Sequence, residues 1–238
     1  MNDLFKIIVK SLRGNSFYIP SKNTFVNGCS LTVKQYNELL ELDATSDFSF
    51  EQFIKYSIIT DRIISDNVDN VEDTLYFDKS FLLIQIKMAQ ENSFLGLSLA
   101  DYQEKLKTRT ENFSAASYET AFIDKNLKIS FGLNNFQTVV KTNKDYLISL
   151  QNNYNYPGEI ISLEIFKYLQ NIEYFNQNIT ENKNVTELRD LISEMPANLI
   201  EKFDEILKKV NADIKSINTF QIAGEDFVFN PSLEFMLS

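Results

Sequence analysis

The spacing of apolar and polar residues along this chain falls into three regimes: extended runs at the start, helical stripes over most of the length, and period-two segments near residue 130 and at the end. Residues 4–9, Leu-Phe-Lys-Ile-Ile-Val, are apolar and β-branched and predict a first strand. A second extended piece, Ser16-Phe17-Tyr18-Ile19, leads through a Pro20-Ser21-Lys22-Asn23 turn into a short arm at Thr24-Phe25-Val26. Thr32-x-x-Gln35 is a capping-box pattern that opens a helix to about Leu42, and Ser49-x-x-Gln52 opens another that carries Phe53, Ile54 and Ile58 to about Ile64. After a polar break at residues 66–70, a long helix is predicted from Asp73 or Thr74 to Asn92. It is apolar on nearly all sides and so central to the core.

Residues 93–117 carry less pattern. Period two then predicts strands at 121–123, 127–131 and 136–140, with turns at Asp124-Lys125-Asn126 and at 132–135. Helices are predicted at 146–150, from Ser162 or Leu163 to Asn176, at 186–195 and at 196–210, with Pro196 suited to a helical start. Residues 219–229 read as a terminal hairpin, followed by a short segment after Pro231. The fold class is α+β and helix-dominated, with small β elements near the N-terminus, at about 118–140 and at the C-terminus. The expected division is 1–115 (extended arm plus helical region), 116–160 (small β insert) and 161–238 (helical region with terminal hairpin), packed as one compact unit.

Composition narrows the chemistry. The 238 residues include no histidine, no tryptophan and one cysteine. Without imidazole, Ser-His-Asp hydrolysis, Cys-His proteolysis and His-ligated zinc are excluded. One cysteine allows neither an intrachain disulfide nor an all-cysteine zinc site, and Cys29 reads as a small semi-buried residue. Six scattered glycines hold no phosphate loop and no dinucleotide fingerprint.

The net charge of −10 argues against a nucleic-acid partner, because phosphate neutralisation needs clustered Lys and Arg. Residues 41–124 alone carry sixteen acidic against seven basic side chains. Carboxylate pairs such as Asp61 with Asp66, or Glu72 with Asp73, would be needed for a carboxylate-only enzyme. With 33 acidic residues in the chain, such pairs are easily named without meaning. Residues 66–73 lack the Gly and distal Glu of a calcium loop. No leader and no membrane segment is expected, since no run approaches about 20 apolar residues. No cofactor or metal is expected.

The order of segments then becomes informative. Phe17-Tyr18-Ile19-Pro20-Ser21, the helix start Leu31-Thr32-Val33, and the later Phe77-Asp78-Lys79-Ser80-Phe81-Leu82-Leu83 resemble the baseplate hub proteins of T-even-type contractile-tailed bacteriophages. Those proteins begin with a Pro-Ser arm and a Leu-Thr-Val helix start, continue with an Asp…Leu-Leu helix, and end in a helical region and a short hairpin. Family members often place a Gly after the Pro-Ser, where this chain has Lys22 and Asn23. Many carry paired cysteines where this chain has Asp124-Lys125-Asn126 and Gly224-Glu225, so a metal knuckle does not transfer.

The resemblance implies a structural or assembly role in the baseplate hub, with other hub and tail proteins as partners and a homo-oligomer left open. It implies no catalytic residues, and a location in the host cytoplasm during assembly and in the virion tail baseplate. The alternatives are a transient tail or tape-measure chaperone absent from the mature particle and, further off, a carboxylate-dependent enzyme. The interaction surfaces expected are the arm, through Phe17, Tyr18, Ile19 and Phe25, and the C-terminal end, through Phe220, Phe227, Phe229 and Phe235. Substituting Phe17 and Tyr18 by Asp should then block assembly and leave the fold intact.

Overall fold

The computed structural model describes residues 14–43, 50–91, 93–150, 159–181 and 183–238. The predicted strand at 4–9, the cap at Ser49 and the helix end at Asn92 lie outside them. The fold is α+β and helix-dominated. Its residues cluster as two compact units. Of the described residues, one comprises 14–43, 50–74, 78–91, 93–113 and 214–238, and the other 75–77, 114–150, 159–181 and 183–213. Residues 161–238 are therefore divided, because pairing of strand 169–174 with strand 127–131 ties them to the β insert.

The first unit opens with the antiparallel hairpin β1 (Asn15–Ile19) and β2 (Thr24–Gly28), joined through a 3-10 turn at Pro20–Lys22. Gly28 is required there, since a Cβ would lie 2.3 Å from the Phe17 ring. Helix α1 (Val33–Asp43) starts at the predicted capping box: Gln35 N–H donates to the Thr32 hydroxyl (3.2 Å), and Thr32 N–H to the Gln35 side chain (3.0 Å). Helix α2 (Phe50–Asn67) follows.

The predicted long helix is shorter, a 3-10 turn at Tyr76–Asp78 and then α3 (Lys79–Met88), of which residues 81–88 are all buried. The unpatterned stretch contains α4 (Leu99–Thr110), capped by Ser98 with Asp101 as the returning carboxylate. Aspartate at that position stands outside the Glu/Gln pattern, which hid the start. The unit closes with β7 (Thr219–Ile222), β8 (Glu225–Val228) and a C-terminal helix (Leu233–Leu237). Ala223 and Gly224, with φ of 53° and 88°, make the left-handed two-residue turn of this predicted hairpin.

The second unit is a four-stranded antiparallel sheet in the order β3-β4-β5-β6, covered by helices. Strands β3 (Thr120–Asp124) and β4 (Leu127–Phe131) match the sequence pattern. The predicted strand at 136–140 is helical, the start of α5 (Phe136–Leu150). Phe136, Val139, Asn143 and Tyr146 are buried at helical spacing, and the Asn135 side chain accepts from Thr138 N–H (2.8 Å). Helix α6 (Glu159–Tyr168) ends earlier than predicted, and the chain continues as β5 (Leu169–Tyr174) and β6 (Gln177–Asn178). The apolar residues 165, 166, 169, 172 and 175 mimic one helical stripe, but β4 pairs with Ile172 and forces extension. Helices α7 (Val185–Ser193) and α8 (Asn198–Ile217) complete the unit, α8 leaving it after Asp213. Among the described residues no helix is long and apolar enough to cross a membrane.

Candidate functional site

The arm expected to face partners is core. Phe17, Tyr18 and Ile19 are fully buried. The outer edge of β1 is satisfied by a side chain: Tyr18 N–H donates to Gln85 Oε1 (2.7 Å), and Gln85 Nε2 donates back to Tyr18 C=O (2.9 Å). Gln103 Nε2 adds a bond to Gln85 Oε1 (2.9 Å) and one to Ser16 C=O. Amides on α3 and α4 thus stand in for a neighbouring strand, which leaves β1 no edge to offer. Of the expected arm residues only Phe25 is exposed, and its ring lies 5.2 Å from that of Tyr18.

The C-terminal expectation is corrected in the same way. Phe220, Phe229 and Phe235 are buried, and Phe229 packs 5.4 Å from Phe220 and 5.8 Å from Tyr102. The Tyr102 hydroxyl donates to Asn218 Oδ1 (2.8 Å), and burial pushes its pKa well up, with Arg109 opposing weakly. The Arg109 guanidinium donates to the carbonyls of Ser216 (3.2 Å), Ile217 (2.8 Å) and Thr219, at the C-terminus of α8, and lies 4.6 Å over the Phe220 ring. Only Phe227 of this group remains partly exposed.

The motif residues that carry the resemblance also serve the interior. Asp78, fully buried, accepts from Ser21 N–H (3.0 Å) and from the Ser21 hydroxyl. Gln35 and Asn67 form a buried amide pair (2.9 Å), and Asn67 donates to Ser30 C=O (2.9 Å). Asp61, one of the weighed carboxylates, is buried and bonded to Lys79 Nζ at 2.7 Å, while Asp66, Glu72 and Asp73 are exposed. A shallow depression of about 340 Å³ is lined by Asp101, Glu104, Lys105, Thr108 and Arg109. Asp101 is held there by the Ser98 hydroxyl and N–H, which keep its carboxyl below the ordinary range. Among the described residues no group of three or more His, Cys, Asp or Glu could hold a metal ion.

An exposed aromatic pair marks one end of the sheet in the second unit. Strands β5 and β6 are joined by a two-residue turn, Phe175-Asn176, with φ of 48° and 63°. Left-handed backbone at a bulky aromatic costs on the order of 1–2 kcal/mol, where Asn or Gly would fit without strain. Phe175 is nevertheless 58% exposed, and beside it Tyr174 is 49% exposed. Their rings meet edge-to-face at 4.6 Å. Phe175 N–H donates to Asn126 C=O (2.8 Å), tying this tip to the β3–β4 turn. The folded unit gains little from either ring, so the pair fits a contact surface better than a structural one.

No family model, curated protein or solved structure matches this chain. Assignment of the site therefore rests on its geometry. The helical disguise of residues 165–175 hid the tip from sequence reasoning. The available signal was Phe175-Asn176 flanked by Tyr174 and Gln177, a hairpin turn with an unfavourable first residue.

Proposed function

We propose that this chain is a structural or assembly component of the central hub of a contractile-tailed phage baseplate and acts through protein–protein contacts. The observation that carries the reading is the contact between Ser21 and Asp78. These residues belong to two of the segments behind the resemblance, they are 57 positions apart, and they meet in a part-buried hydrogen bond. The exposed Tyr174–Phe175 pair supplies a contact surface of the kind such a role needs.

In this reading the partners are other hub and tail proteins. The chain acts in the host cytoplasm during assembly and in the virion baseplate afterwards. Quantitative mass spectrometry of purified particles and of hub intermediates from infected cells tests it. Detection in both at one fixed stoichiometry is expected. Presence in the intermediates alone would support a departing chaperone instead, and absence from both would overturn the proposal.

A further inference from the structure

Among the described residues the four-stranded sheet of the second unit has two edges, the two-residue β6 and the longer β3. Strand β3 pairs only with β4, in the register Ala121↔Ser130, Phe122↔Ile129, Ile123↔Lys128 and Asp124↔Leu127. The turn between them is the two-residue Lys125-Asn126, so Asp124 and Leu127 close the hairpin as a hydrogen-bonded pair. Alternation along the ladder then assigns the inward backbone groups to Thr120, Phe122 and Asp124. The N–H and C=O groups of Ala121 and Ile123 point outward from the sheet.

Among the described residues this edge lacks the usual protection. Natural edges are guarded by charge, proline, a bulge or a cover. Here the outward positions are Ala121 and Ile123, both exposed, with Ile123 at 71%. The half-buried Phe122 lies between them on the other face. The ends of the strand are charged in opposite senses, with exposed Glu119 before it and exposed Lys125 after it.

We infer that β3 pairs with β3 of a second copy of this chain, antiparallel and centred on Phe122. In that register Ala121 faces Ile123 of the second copy and Ile123 faces its Ala121. These two rungs exchange about four backbone hydrogen bonds. The two isoleucines and two alanines form one apolar cluster on one face of the joined sheet. On the other face the two Phe122 rings meet as a close, non-hydrogen-bonded pair.

The same register sets Glu119 opposite Lys125 of the second copy, twice by symmetry, and Asp124 opposite Thr120. The other registers that use the outward groups are less favourable. Centring on Ala121 places Ile123 against Glu119, and centring on Ile123 places Ala121 against Lys125, so neither pairs opposite charges. Charge complementarity thus selects a second copy, in one register. A single strand pair buries less than a standard interface, so the dimer is weak and concentration-dependent. The inference does not depend on the hub reading.

Sedimentation velocity of the full chain across a wide concentration range tests it. The weight-average mass is expected to rise from 27.6 kDa toward twice that value. Ile123→Lys and Ala121→Pro should hold it at the monomer value. Glu119→Lys or Lys125→Glu alone places like charges opposite each other and should weaken association by about tenfold. The double variant Glu119→Lys/Lys125→Glu should restore it. All of these side chains are exposed, so each variant should remain folded, with Ile123→Lys slightly less stable because it faces Lys128; thermal melts then separate lost pairing from lost folding. A wild-type chain that stays monomeric throughout overturns the inference. So does association that Ile123→Lys leaves unchanged, or a double swap that fails to restore what the single swaps remove.

Discussion

Gln85 holds Tyr18 as a neighbouring strand would, accepting from its N–H at 2.7 Å and donating to its C=O at 2.9 Å, with both residues fully buried. Removing the amide leaves two buried backbone groups without these partners. Gln85→Leu should therefore cost about 2–3 kcal/mol in denaturant unfolding. Gln85→Glu should cost at least as much, because a carboxylate cannot donate to the carbonyl. If Gln85→Leu is neutral, the bridge is not what seats β1.

Because β1 is seated this way, Phe17→Asp and Tyr18→Asp should unfold the protein rather than leave it folded and assembly-defective. Each places a carboxylate where a fully buried aromatic sits. Circular dichroism of the purified variants distinguishes the two outcomes.

Asp61 is buried against Lys79 at 2.7 Å. Lys79→Met should destabilise by about 3 kcal/mol, since the carboxylate loses that ammonium in a desolvated site. Asp61→Asn/Lys79→Met should recover most of the loss. A double variant no more stable than Lys79→Met would show that the ion pair is not the source of the effect.

The sequence made most of the first unit readable, for identifiable reasons. The Thr32–Gln35 box, the apolar run 81–84 and the Ala223-Gly224 turn are local signals whose local and tertiary demands agree. It misled where apolar residues fit two periods. Phe136 and Val139–Val140 read as alternation until the burial of Asn143 and Tyr146 extends the stripe into a helix. Residues 169–174 read as helix until β4 claims Ile172. The arm failed as a surface for a different reason: the partners of its backbone are the side chains Gln85 and Gln103, more than 65 residues away, and no local pattern announces them.

Alkaline pH should destabilise the fold. Burial pushes the hydroxyls of Tyr56, Tyr102, Tyr118 and Tyr168 above their ordinary value of 10.0. Below that value both folded and unfolded chains keep these protons. Above it the unfolded chain loses them first, so stability falls as pH rises from about 10 toward the raised folded values. Absorbance at 295 nm should show part of the tyrosine titrating only as the circular dichroism signal is lost. Full ionisation of a still-folded protein near pH 10 would contradict this.

Phe175 sits in a left-handed turn at φ 48°. Phe175→Asn should raise stability by about 0.5–1 kcal/mol by relieving that strain. A matching loss of partner binding would mark the ring as kept for contact. A destabilised variant would mean that the ring supports the fold.

The proposed hub role is tested most directly by introducing Tyr174→Asp/Phe175→Asp into a contractile-tailed phage that encodes the chain. The variant should melt no lower than the unaltered chain, because both rings are about half exposed and aspartate tolerates the left-handed turn at 175. With the proposed hub role, the variant is expected to fail to enter assembled baseplates. A variant that enters them at the unaltered stoichiometry would contradict a hub role exercised through this tip.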